Sequence, residues 1–165
     1  MTLNVTLLVL GAVLMFAAVA LVLRVWKVPA AVPAYVGLCL LHASTYTTFP
    51  TWVFWFYAIA TVIVMALARL TPREEPDGTN TGNVYIGLGA IAGCLLGIVA
   101  GARLMMLGVV LGGIAGEFAY SMTPAGKWLK FSYSNFYAYF CARVLQAIVA
   151  IAMVGVAIEG FVFDL

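Results

Sequence analysis

The sequence predicts an all-α, polytopic transmembrane helical bundle of about six membrane segments, with a central glycine-zipper hairpin, in a single integral membrane domain over residues 1–165. Three observations predict it. Hydrophobic residues make up 65% of the chain and charged residues 8%, against about 25% charged in ordinary soluble domains. The apolar residues fall in runs that approach the roughly 20 needed to cross a bilayer. Glycine recurs every fourth residue through two adjacent runs.

The first run, from Val5, stops at Val25, where Arg24, Trp26 and Lys27 form an aromatic and basic flank of the interfacial kind. Met1 to Asn4 lack the basic region of a secretory signal and no small-residue cleavage site follows Leu23, so this run is expected to be retained as a span. The second, about Ala34 to Thr47, is short, bracketed by Pro29, Pro33 and Pro50, and carries His42, Ser44, Thr45 and Tyr46. It is expected to be a half-span or to sit shielded among other helices. The third, Trp52 to Leu70, opens on Trp52, Phe54, Trp55, Phe56 and Tyr57 and closes at Arg69, an aromatic belt at one interface and a cationic stop at the other.

The polar stretch from Thr71 to Asn83 reads as a loop. After it come a fourth segment, Val84 to Ala102, and a fifth, Leu104 to Tyr120, joined by so few residues that they must fold as a tight hairpin around Gly101 to Arg103. Gly89, Gly93, Gly97 and Gly101 in one, and Gly108, Gly112 and Gly116 in the other, are two G-x-x-x-G series. Residues four apart share a helix face, and a face without side chains lets two backbones approach where lipid supplies no hydrophobic drive. Gly87 and Gly113 are expected to widen that face. Such faces pack on each other or on a second subunit. Beyond a polar connection, Thr123 to Lys130, an aromatic stretch leads into the last helix, ending near Phe161. It reads as one long span from Tyr133 or as an interfacial helix followed by a span from Arg143.

Orientation follows from the cations. With six spans and both termini outside, Arg24, Lys27, Arg69, Arg73, Lys127 and Lys130 lie in cytoplasmic flanks and Arg103 outside. A net charge of +2 is too small to argue for nucleic acid. Cys39, Cys94 and Cys141 are far apart within apolar runs, so neither disulfides nor a metal site are indicated.

Five residues are candidates for an intramembrane charge site. Glu117 follows Gly116 inside the fifth segment, and a charge at such depth costs about 2.5–3.5 kcal/mol on insertion scales, which makes it a functional candidate by default. Arg143 lies at a compatible height as its partner, and Glu159 is placed to meet Arg103 at the hairpin turn. His42 is a candidate proton relay or a hydrogen-bonded packing residue. No metalloprotease, phosphate-loop or nucleophile-elbow motif is present, so no catalytic residue, cofactor or metal is expected. The chain is read as non-enzymatic, acting through helix packing as a homo-oligomer or as a small subunit of a membrane complex. The alternative is a small transporter or channel using Glu117 for a proton, cation or small solute.

The run Gly108-Val-Val-Leu-Gly112-Gly-Ile-Ala-Gly116-Glu117, with the glycine-rich segment before it and Trp128-Leu-Lys130 and an aromatic helix bearing Arg143 after it, resembles the bacterial membrane proteins grouped as domain of unknown function 456. Tyr35-Val-Gly37-Leu-Cys-Leu-Leu41-His42 is similar to that family's second segment. The resemblance spans about Pro33 to the end, and implies an integral protein of a bacterial inner membrane with no assigned activity.

Overall fold

The computed structural model describes residues 2–24, 29–44, 46–47, 49–70, 81–129 and 134–162. These form six helices and no strand: α1 (Thr2–Leu23), α2 (Ala31–Ala43), α3 (Thr51–Leu70), α4 (Thr81–Ile98), α5 (Ala102–Ser121) and α6 (Ser134–Val162). All but α2 are long and apolar enough to cross a membrane, and the chain is a multi-pass integral membrane protein. Trp26, Lys27, most of the polar loop including Arg73, and Lys130 and Tyr133 lie outside the described residues.

Successive helices alternate in direction. One end of the bundle collects Arg24, Arg69 and Lys127, all exposed, and is called the basic end. The other holds the α2–α3 connection and the α4–α5 turn.

Two segment boundaries differ from expectation for local reasons. α2 starts at Ala31, before Pro33, because proline in a first turn removes an N–H that has no intrahelical partner anyway. It stops at Ala43 because the Ser44 and Thr47 hydroxyls both donate to the Leu41 carbonyl, at 2.6 and 3.1 Å, satisfying a C-terminal group that further helix would have covered. Its 13 residues reach roughly 20 Å, short of a bilayer core of about 30 Å. α4 begins at Thr81, taking Gly82 and Asn83 out of the expected loop into a buried first turn.

The last segment is one helix. α6 runs unbroken for 29 residues, roughly 43 Å. A π turn over Phe140–Val144 interrupts its α geometry. The aromatic stretch is therefore no separate interfacial helix: Phe136 and Tyr139 are buried and only Tyr137 among the three faces out.

α6 touches every other helix and is the hub of the bundle. Its composition explains this. Ala147, Ala150, Ala152, Gly155, Ala157 and Gly160 are all buried, and small residues spread round a helix let several neighbours approach at once. α1 is the opposite case, with Leu3, Val9, Val13 and Phe16 facing outward, as a lipid-facing helix requires. It is held where Gly11 and Gly37 cross: a Cβ at Gly37 would lie 3.0 Å from the Gly11 carbonyl oxygen.

Candidate functional site

α5 carries two different faces. Towards α4 the two backbones meet directly. A side chain at Gly93 would strike the Gly108 carbonyl, one at Gly89 the Gly112 carbonyl, and one at Gly116 the backbone of Tyr85. Gly97 closes the seam against Met105, whose Cα lies 2.5 Å from where a Cβ would be. The helices reverse at Gly101, whose φ of 100° and ψ of 166° lie in a region open to glycine alone.

The other face of α5 looks at α6. A Cβ at Gly113 would lie 2.9 Å from the Ile148 side chain, with Val144 beside it. Gly113 is thus not part of the α4-facing surface, and neither is Gly87, which packs on Val22 and Leu23 of α1. The sequence reading placed both on that surface. At about 100° per residue, one step from Gly112 or two from Gly89 turns a side chain well away from the seam.

One turn beyond Gly113 on the same face stands Glu117. It is completely buried, with 0% exposure. Neither carboxylate oxygen has a hydrogen-bond partner among the described residues. The pairing with Arg143 expected from their heights is not formed. Arg143 falls in the π turn of α6, where it makes contacts of its own.

Aromatic rings crowd the same end of the bundle. Phe118 packs on Phe136 at 5.6 Å, Tyr85 on Tyr120 at 5.9 Å, Tyr120 on Tyr139 at 6.2 Å and Trp128 on Tyr139 at 5.6 Å between ring centroids. Gly82 makes room for Tyr120 and Tyr139. Below α5 the chain is tied back on itself: the Ser121 and Thr123 hydroxyls donate to the Phe118 and Tyr120 carbonyls at 2.7 Å each, and Gly126 N–H donates to Thr123 Oγ1 at 3.1 Å.

The remaining candidates lie at the opposite end. Glu159 is buried and is held within electrostatic reach of Tyr57 on α3 and Cys94 on α4. Arg103 is exposed in the first turn of α5, and the expected Arg103–Glu159 pair is not formed. The reason is rotational: Glu159 points into the bundle while Arg103 points out of it. His42 accepts a hydrogen bond from the Phe49 N–H at Nδ1, 3.3 Å, and its ring lies 4.7 Å from that of Phe54, tilted by 54°. It fastens the α2–α3 connection.

Of the five candidates, Glu117 and Arg143 are thus not paired, nor are Glu159 and Arg103, and His42 is a fastener. Sequence reasoning passed over Tyr57, Asn83 and Gln146. A polar residue at helical spacing from small ones was the available signal for each, and it does not say which neighbour the side chain will meet. Set beside models of known families, characterised proteins and solved structures, the chain matches none.

Proposed function

We propose that this integral membrane protein handles a proton, a cation or a small solute, and that Glu117 is the group that does so. The observation that carries the reading is a carboxylate wholly buried on α5 with neither oxygen engaged by a described residue. Burying such a group is costly in a bilayer, and a purely packing position is served better by an apolar side chain of the same size. The reading as a homo-oligomer or small subunit has its motive in the zipper hairpin without a catalytic constellation. The glycine faces of that hairpin pack on each other within one chain, which leaves Glu117 the stronger pointer to a role.

With the amino terminus outside, Arg24, Arg69 and Lys127 make the basic end cytoplasmic. Glu117 then sits nearer the cytoplasmic side. The resemblance to the domain of unknown function 456 family fits a bacterial inner membrane and names no activity.

The test is flux in proteoliposomes, read as proton movement with a pH-sensitive dye under an imposed potassium diffusion potential, and as uptake of monovalent cations. Wild-type flux that falls about tenfold or more in Glu117→Gln is the expected result, because glutamine neither exchanges a proton nor carries the charge that would hold a cation, and a positioned proton-transfer group contributes roughly a hundredfold or more to a reaction rate. Labelling of the wild type by a hydrophobic carbodiimide, absent in Glu117→Gln, is expected alongside. Flux equal in both proteins defeats the reading.

A further inference from the structure

A polar cavity of about 30 Å³ opens at the basic end between α1, α2, α4 and α6. Its apolar wall includes Val22, Ala30 and Ile86, and its polar wall is Asn83 from α4 with Arg143 and Gln146 from α6. Arg143 and Gln146 are three apart and share a helix face, and Asn83 is buried opposite them. None of the described residues lining the cavity is acidic.

We infer that this cavity is a binding site for one phosphate group, held by the Arg143 guanidinium and the Asn83 and Gln146 side-chain amides. The donor set is the reason. A guanidinium offers a planar fork that matches two oxygens of an oxyanion, and each amide adds N–H donors. The volume sets the size. It is room for one or two waters, so one or two oxygens of a phosphate enter among the donors and the rest of the group, with any larger molecule that carries it, stays at the mouth. The exposed Arg24 and Arg69 side chains, on the two helices whose ends flank this end of the bundle, raise the local anion concentration.

The shared chemistry has two sources, inorganic phosphate and the phosphodiester of an anionic lipid. The inference does not depend on Glu117. The full-length protein is placed in phosphatidylcholine nanodiscs and its thermal unfolding followed while inorganic phosphate replaces chloride at constant ionic strength. A second series substitutes phosphatidylglycerol for part of the phosphatidylcholine without phosphate. A saturable rise in unfolding temperature in the first series identifies the soluble source, and in the second the lipid. The response is expected to vanish in Arg143→Gln and to need about fivefold more ligand in Gln146→Leu, the loss of one net hydrogen bond. No rise in either series overturns the inference, as does a rise that persists in Arg143→Gln. Should Arg143→Gln not fold, Gln146→Leu and Asn83→Leu decide: an unchanged midpoint in both overturns it.

Discussion

Towards α4, helix α5 presents Gly108, Gly112 and Gly116, and backbone lies against backbone with no side chain between. Towards α6 it presents Gly113 and then Glu117, and there side chains fill the space: Ile148 and Val144 over the glycine, and a buried carboxylate a turn further on. The first face has nothing that can move. The second contains rotatable groups and a carboxylate with no described partner. Small residues therefore do two jobs on one helix. On one side they set a distance between backbones; on the other they leave room beside a buried carboxylate.

Gly93→Leu puts the sharpest strain on this contrast, because its Cβ alone would collide with the Gly108 carbonyl and backbone cannot step aside. The expected loss exceeds about 4 kcal/mol, the range reserved for gross overpacking. Size-exclusion profiles of the detergent-solubilised protein check it, and a monodisperse wild-type-like peak would break the account of a rigid seam.

Glu117→Met tests the other face in the opposite direction. Replacing a buried polar group that lacks partners by an apolar chain of similar length is expected to raise stability by about 1–3 kcal/mol, while abolishing flux. Thermal unfolding of the two proteins in the same nanodisc measures it. A destabilised Met variant would mean that the carboxylate is anchored, and that the two faces of α5 are more alike than described.

Gly113→Ala compares the faces like for like. Its Cβ would meet the Ile148 side chain at 2.9 Å, and a flexible side chain can turn away where a carbonyl cannot. Overpacking of about 1–3 kcal/mol is offset by about 1 kcal/mol of helix propensity gained on replacing glycine. The net loss is expected to stay near 1 kcal/mol by thermal unfolding, several times smaller than for Gly93→Leu.

Gly101→Ala separates contact from conformation, since nothing lies within 4 Å of a Cβ there and only the positive φ resists it. A loss of about 1–3 kcal/mol is expected from backbone strain alone. A change too small to measure would show that the turn relaxes without disturbing the seam.

Some of this architecture is legible in the residues and some is not. The four-residue spacing of Gly89, Gly93 and Gly97 marks a bare helix face because periodicity is a property of a single helix. The short link to Ala102 then leaves that face little choice of partner. Gly87 and Gly113 were misplaced because being glycine says nothing about rotation. The Arg143 and Arg103 pairings failed on the same ground: height along a helix can be counted from sequence, whereas azimuth towards a particular neighbour depends on how the bundle packs. Glu159 on α6 lies within electrostatic reach of Tyr57 on α3 and Cys94 on α4, and no local pattern encodes such a meeting.

The amino-acid sequence by itself determined the solvent, the helical class, the hairpin and the place of Glu117 within an apolar helix, all consequences of apolar runs, polar breaks and glycine spacing. Only the tertiary structure decided that α6 is the hub, that the glycine faces of α4 and α5 are consumed within one chain, and that Glu117 and Arg143 stand apart. Burial and periodicity act within a segment and can be read along it. Which faces meet is settled by close packing among all six helices at once.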